Sequence, residues 1–480
     1  MITEKKTYKK TYKNQKDKSE ILKEPLKETL KETLKQKGGK KLGYGAYGCV
    51  ISPPAKCVHY PNLRKTEYKL DNEHVSKLIN FKHNHSAFLE LNIGQRLISI
   101  DPKHHHFSPY FNGCFFSPQQ NKDILYLNAD GTNVISSPLI TTLSPLTELS
   151  RSSRKSTKTN KGQKNTSLIK SQLNKEYRNK CILSLDNTYL NLIGPYGGIT
   201  LTNILSYQKN NDLLLYINDN YWYMCMYLIK NVYILYRNKI IHRDIKPSNI
   251  TVKFSYINNE SVALVKSVLF DTCRITLIDF GLARELKKSK YLYEEIKDFT
   301  SQGTAHYIPI EIFAIRTLIK LIERGYDSSD ESFKEKMISR VEAKIKRNRE
   351  YYHHEGIRCD TFKYLKNIPG SSNYFITSKK VDKVVDYVIG LHNQDKLSKN
   401  IDEILYKWDV YSLGIIFAKV ALKFNIEDKD FISLIFEMIR LDPDKRITIQ
   451  KLVKHPKYLY YQKFIEKGNK SLNKSVSKVK

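Results

Sequence analysis

The chain has 480 residues, 40% of them hydrophobic and 27% charged, and a formal net charge of +32. That balance excludes a wholly disordered chain and allows two or three domains, or one large two-lobed enzyme. No run approaches the roughly 18–20 uninterrupted apolar residues of a membrane helix. The polar, Lys-rich stretch Met1 to Lys18 lacks the apolar core of a secretory signal. Seven scattered cysteines, an odd number, suit a reducing compartment rather than a disulfide framework, so a cytoplasmic location is expected.

The charge is mostly peripheral. Residues 1–41 carry fourteen Lys against six acids, residues 151–180 ten Lys or Arg against Glu176, and residues 467–480 five Lys and no acid. Basic arms favour anionic partners such as nucleic acid, membrane surfaces or acidic proteins. The arms are Lys-rich and Arg-poor, whereas bidentate phosphate contacts call for Arg, so solvated tails are the competing reading.

In chain order, residues 1–41 read as a tail, with Leu22, Leu26, Leu30 and Leu34 repeating on a short helix that is marginal alone and ends at Gly38 and Gly39. Leu42–Val50 follows as L-G-Y-G-A-Y-G-C-V. Gly43, Gly45 and Gly48 form G-x-G-x-x-G, a spacing that lets backbone N–H groups approach phosphates. Dinucleotide-binding folds share it, but there the glycines open a helix. Here Pro53 and Pro54 break any helix, which favours a hairpin loop. Glu73–Ile79 alternates as a strand, with Val75, Lys77 and Ile79 on one face. After a Gly-rich hairpin, Lys77 is a candidate phosphate contact, and such a lysine needs a carboxylate. Glu90, in the helical stretch Ser86–Ile100, is the acid available, with a surface helix charge as the competing reading. His104, His105 and His106 lack the spacing of a closed metal site and read as a surface loop. Residues 151–180 read as a disordered loop, and Leu213–Arg237 as a buried helix.

Ile241–Ile250 reads I-H-R-D-I-K-P-S-N-I. Phosphoryl transfer to a hydroxyl needs an acceptor-only carboxylate near the attacking oxygen, a cation near the transferring group and an oxygen ligand for Mg²⁺. Asp244, Lys246 and Asn249 supply those three. Ile275–Arg284, I-T-L-I-D-F-G-L-A-R, puts Asp279, a hard oxygen ligand, at the end of a strand.

With these motifs in this order, roughly residues 42–460 resemble the eukaryotic-type protein kinase family. The resemblance implies an α+β, two-lobed fold. Residues 42–193 would form a small antiparallel β-sheet lobe with its C-helix, carrying the basic insert at about 150–180. Residues 194–466 would form a larger, mainly helical lobe with a large insert at about 312–407. ATP would lie against Leu42, Gly43, Gly45, Gly48, Val50, Lys77 and the hinge Ile193–Leu201, which begins at Ile193 and would meet adenine through its backbone. Lys77 would pair with Glu90, and Asp244 would be the catalytic base. Lys246 would neutralise the γ-phosphate, and Asn249 and Asp279 would hold Mg²⁺. The H-R-D-x-K-P-x-N form resembles the serine/threonine branch, which implies a protein substrate with a Ser or Thr acceptor. Thr304 would bond the catalytic Asp and Lys, Asp409 would brace the catalytic loop, and Glu311 would pair with Arg446.

The chain departs from the pattern at Pro309-Ile310-Glu311, where Glu311 is kept from A-P-E, and in the ninety-six residues between Glu311 and Trp408. Its composition and hinge sequence are similar to kinases of large nucleo-cytoplasmic DNA viruses, which implies host cytoplasm or virion. Two other functions compete with an active kinase: a pseudokinase scaffold on the same fold, and a nucleic-acid-associated protein using its basic arms. Arg243 precedes Asp244, as in kinases whose activation loop is ordered by phosphorylation; Thr300 and Ser301 are the candidate acceptors, ahead of Tyr291 and Tyr293.

Overall fold

A computed structural model describes residues 40–44, 48–52, 54–55, 73–80, 84–116, 189–207, 212–254, 273–286, 290–354 and 377–466. Gly45, the repeating leucines of the N-terminal tail, the basic stretch 151–180 and the basic segment 467–480 lie outside these residues. The chain divides into two compact units. Among the described residues the first takes 40–95 and 110–196, and the second takes 96–109 and 197 onward. Among the described residues no helix is long and apolar enough to cross a membrane.

The first unit is built on a five-stranded antiparallel sheet. Its strands are β1 (Lys40–Tyr44), β2 (Gly48–Ser52), β3 (His74–Asn80), β4 (Asn112–Phe116) and β5 (Tyr189–Pro195), in the order β1-β2-β3-β5-β4. The glycine-rich stretch therefore joins two antiparallel neighbours, and no helix opens there. Directly paired residues share a face of a sheet. The register places Gly43 opposite Val50, Val50 opposite Lys77, and Lys77 opposite Leu192. Period-2 alternation in β3 suggested one buried face, but both are buried: Ser76 and Leu78 are as inaccessible as Val75 and Ile79. The Ser76 hydroxyl makes that tolerable by accepting the Ala55 N–H at 2.8 Å.

Helix α1 (Asn84–Ile100) carries Glu90 and Gly94. Gly94 sits where the chain at Tyr110 crosses the helix: a Cβ there would stand 1.8 Å from the Tyr110 carbonyl oxygen.

The second unit holds two small sheets, β10-β7 and β6-β8-β9, built from β6 (Ile199–Thr200), β7 (Ile240–Ile241), β8 (Ile250–Phe254), β9 (Cys273–Leu277) and β10 (Arg284–Glu285). Its first helices are α2 (Leu201–Ser206), α3 (Asp212–Asp219) and α4 (Tyr221–Arg237), followed by α5 (Tyr293–Ser301) and α6 (Ile310–Ile322). After them come α7 (Glu331–His354), α8 (Ser378–Asn393), α9 (Leu397–Phe424), α10 (Lys429–Met438) and α11 (Ile449–Leu452). The single helix expected over Leu213–Arg237 is two, broken at Asn220, where the polar run Asn218-Asp219-Asn220 has no apolar face to continue.

Two expectations are corrected here. His104–His106 is no surface loop, since His105 and His106 are buried. The Asp101 carboxylate accepts the backbone N–H groups of His105, His106 and Phe107 at 3.0, 2.7 and 3.0 Å. His106 Nδ1 lies 2.7 Å from the Asn231 side-chain oxygen, and burial pulls its pKa down to about 4, so the ring stays neutral. Nor are the thiols all reduced: Cys49 and Cys114 each sit in a separate disulfide, while Cys225 and Cys273 are free and buried. Spacing along the chain does not report which sulfurs meet in space.

The stretch between Glu311 and Trp408 joins the main core of its unit. Phe333, Met337, Val341 and Ile345 of α7 and Val381, Val384, Val385 and Val388 of α8 pack in one cluster with Ile315 and Ile319 of α6 and Trp408 of α9. The helical stretch expected over Phe333–Arg349 extends to Glu331–His354.

Glycine to alanine inside a helix ordinarily gains about 1 kcal/mol. Gly94→Ala is expected to do the reverse, because the atom in the way is backbone. A loss of about 1–3 kcal/mol is expected, read as a lower denaturant midpoint than wild type with an unchanged slope.

Candidate active site

In the first unit, β3 and α1 bring Lys77 and Glu90 together. Lys77 Nζ lies 2.8 and 3.0 Å from the two Glu90 carboxylate oxygens, with both side chains buried. The Lys77 ammonium also stands 5.5 Å from the centre of the Tyr110 ring. No sequence signal marked Tyr110. Of the other first-unit candidates, Leu42 is partly exposed and Val50 half-buried beside Lys77. Ile193 is buried in β5, and its carbonyl accepts the Phe111 N–H at 3.1 Å. That carbonyl is engaged in the sheet at the first residue of the stretch Ile193–Leu201 read as the hinge.

In the second unit, Asp244 is the centre of a hydrogen-bond network. Lys246 Nζ donates to Asp244 Oδ2 at 2.6 Å and to the Thr304 hydroxyl at 2.9 Å. Thr304 donates its N–H and hydroxyl to Asp244 Oδ1 at 3.1 and 2.6 Å. The Asn249 amide nitrogen donates to the Asp244 backbone carbonyl at 2.9 Å and to Oδ2 at 3.1 Å. The residue before Thr304, Gly303, has φ +126°, and a Cβ there would meet the Trp408 ring at 2.7 Å. Glycine is therefore required for Thr304 to reach Asp244.

Asp279 lies two residues past the end of β9, with left-handed backbone (φ 61°, ψ 68°). The Ile278 N–H donates to the Asn249 carbonyl at 3.0 Å, which ties the segments bearing Asn249 and Asp279 to each other. Phe280 is buried against His242 and Phe107, with ring centres 4.8 and 5.9 Å apart. Among the described residues, no three His, Cys, Asp or Glu side chains gather as a closed metal site. Asn249 and Asp279 both carry hard oxygen donors, and the Asn249 nitrogen gives its two bonds to Asp244.

The loop carrying Asp244 hangs from buried Asp409, which accepts the His242 and Arg243 N–H groups at 2.8 and 2.9 Å. Farther along, Glu311 and Arg446 form a fully buried bidentate pair at 2.5 and 3.2 Å.

Arg243 departs from the expected phosphate-binding role. Its side chain is buried, with Nε donating to the Leu282 carbonyl at 2.6 Å and Nη1 to the Asp298 and Phe299 carbonyls at 3.0 and 2.6 Å. Burial pulls its pKa down to about 9, and neighbouring Arg284 adds to that. Thr300 is buried in α5 and donates its hydroxyl to the Ile296 carbonyl at 2.9 Å, so it is closed to modification. Tyr291 is buried as well, Ser301 is exposed, and the exposed Tyr293 hydroxyl meets His392.

A protein kinase domain family model matches residues 186–328, which span β5 and every second-unit group around Asp244 except Asp409 and Arg446. Residues 186–328 are thus similar to the protein kinase domain family. The chain is distantly similar to extracellular signal-regulated kinase 7 of Drosophila melanogaster, 22% identical over 243 residues, covering 48% of this chain and 20% of that protein. It is also similar to mitogen-activated protein kinase pmk-1 of Caenorhabditis elegans, 31% identical over 88 residues, covering 18% of this chain and 17% of that protein. The matches thus span a fifth or less of these relatives' own length.

Removing one partner of a buried pair leaves an uncompensated charge. Glu311→Ala is expected to destabilise the chain by about 3–5 kcal/mol, read from urea unfolding. An unchanged midpoint would show that the Arg446 guanidinium finds other acceptors.

Proposed function

We propose that the chain is an active serine/threonine protein kinase that transfers the γ-phosphoryl group of ATP to a protein hydroxyl. The observation that carries the reading is the set of donors converging on Asp244: Lys246, Asn249 and the Thr304 N–H and hydroxyl. A carboxylate with several donated hydrogen bonds is held in one orientation as an acceptor-only group. In this reading Asp244 accepts the proton of the incoming Ser or Thr hydroxyl. Lys246 sits two residues on and contributes positive charge where negative charge develops on the transferring group. Thr304 locks both in register and ties them to the chain leading to Glu311.

Lys77, held by Glu90, would contact the α- and β-phosphates, with Gly43, Gly45 and Gly48 letting backbone approach them. Leu42 and Val50 would supply apolar contacts to the nucleotide. Asn249 and Asp279 would hold Mg²⁺, which when bound supplies positive charge along the phosphates. The serine/threonine assignment rests on Lys246 within the H-R-D-x-K-P-x-N string. The likeness to viral kinases rests on composition and hinge sequence.

The test is γ-phosphoryl transfer from ATP–Mg²⁺ to a generic protein substrate and to the chain itself. Asp244→Asn is expected to lower kcat by about 10²-fold or more, with the protein still folded and nucleotide binding retained. Ser/Thr labelling that persists undiminished in the variant would sink the reading. No transfer by wild type, with ATP still bound, would favour a scaffold on the same fold.

A second expectation concerns activation. Because main-chain carbonyls already engage the Nε and Nη1 of Arg243, full activity is expected without phosphate on the 290–304 segment. Ser301→Ala and phosphatase-treated wild type are expected to stay within about twofold of untreated enzyme, a change under roughly 0.4 kcal/mol. A loss of tenfold or more in either would show that the segment needs modification.

A further inference from the structure

We propose that the basic face where α6 meets α7 recognises acidic residues of the substrate, carboxylate- or phosphate-bearing, that flank the acceptor hydroxyl. The proposal rests on the kinase reading above and specifies its substrate class.

The two helices pack through Ile315 and Ile319 of α6 and Met337, Val341 and Ile345 of α7, which fixes what their outer faces carry. Arg316 lies against the aromatic rings of Phe313 and Trp408, its guanidinium carbon 5.5 and 6.0 Å from their centres. Its Nη2 donates to the Gln302 carbonyl at 2.8 Å, and its Nε is buried without a hydrogen-bond partner. Gln302 is two residues before Thr304, whose N–H and hydroxyl bond Asp244. A guanidinium with a spare donor is thus anchored within two residues of the segment that contacts the proposed base.

Three more cations extend this anchor. Lys320 stands one turn beyond Arg316 on α6, and Lys344 and Arg347 lie one turn apart on α7, all three exposed. These groups act on one another: burial, and then the charges of Arg347, Arg316 and Lys320, hold Lys344 below the ordinary lysine range. Residues 336–349 hold six Lys or Arg against Glu342 alone. Of the acids nearest along α6, Glu311 is taken by Arg446 and Glu323 by Lys297. Like charges kept together without a neutralising carboxylate lower the free energy of binding an anion, which removes their repulsion. Arg in particular offers paired donors to carboxylate or phosphate. Arg316 is tied to Gln302, beside the segment that meets the proposed base, which fits acidic side chains of a peptide presented with its acceptor hydroxyl better than a nucleic-acid backbone.

The test uses the full-length chain and fluorescent peptides with Ala in place of the acceptor. The flanks are Asp/Glu, phosphoserine, neutral or Lys, and binding is read by anisotropy. Wild type is expected to bind the acidic peptides at least about tenfold tighter than the neutral one. The exposed double variant K344A/R347A is expected to lose about five- to tenfold on acidic peptides and nothing on the neutral one, as two solvent-exposed ion pairs allow. With phosphorylatable versions, KM should rise in the variant while kcat holds. A stronger effect with phosphoserine than with Asp/Glu would identify phosphate as the group read. Equal binding of acidic and neutral peptides by wild type would overturn the proposal, as would wild-type affinity in the double variant. So would displacement of acidic peptide by an equimolar single-stranded oligonucleotide, which would assign the face to nucleic acid. The binding assay needs no catalysis, so a chain that transfers no phosphoryl group still answers it.

Discussion

The second unit is organised around one buried carboxylate. Asp409, inside α9, accepts two consecutive backbone N–H groups, those of His242 and Arg243. Burial pushes its pKa up, opposed by His242 and Arg243. Arg243 has φ 66°, a left-handed conformation that is strained for a residue with a Cβ and persists only when its surroundings fix it. The two bonds from Asp409 do so. Three side chains then leave one short stretch in different directions. His242 reaches the Ile278 carbonyl at 3.1 Å and packs on Phe280, Arg243 reaches the end of α5, and Asp244 receives Lys246 and Thr304.

What the sequence made legible follows from range. Asp244, Lys246 and Asn249 lie within six residues, so their spacing alone brings them to one turn of chain. The G-x-G-x-x-G stretch could be placed in a hairpin because two prolines exclude a helix after it. Lys77 and Glu90 are thirteen residues apart, and pairing them needed only a strand followed by a helix. The failures are of a different kind. His105 and His106 looked like surface because three histidines are polar, yet Asp101 supplies acceptors for the backbone around them. Thr300 read as a loop hydroxyl, but Ile296 and Phe299 are apolar at a spacing that buries α5, and Thr300 goes in with them. Each error treated as local a residue whose environment is set by distant chain.

The long stretch between Glu311 and Trp408 shows the same limit at larger scale. Counted along the chain it reads as an interruption. In space, the α7 and α8 side chains share one cluster with α6 and α9. Burying roughly a dozen large apolar side chains there, at about 1.5–3 kcal/mol each before the cost of ordering them, makes these helices part of the unit's stability. It also gives α6 a neighbour on its outer side, which is where Arg316, Lys320, Lys344 and Arg347 come together.

Arg243 connects the core to the question of regulation. A buried guanidinium needs acceptors, and in kinases of this motif type the sequence suggested a phosphate. Here the acceptors are the Leu282, Asp298 and Phe299 carbonyls, the last two at the C-terminal end of α5, where unpaired carbonyls and the helix dipole concentrate negative potential. Hydrogen bonds to a charged donor contribute about 1.5–3 kcal/mol each, and Arg243 makes three, while its Nη2 is buried without a hydrogen-bond partner. The formation of α5 therefore generates the counter-charge that orders the segment. Its own stability comes from Ile296 and Phe299 in the core, with Tyr291 stacked edge-on to Phe299 at 5.1 Å. Modification would have to compete with a helix end already in place, whereas substitutions that unwind α5 would release Arg243 and loosen the chain that leads to Thr304.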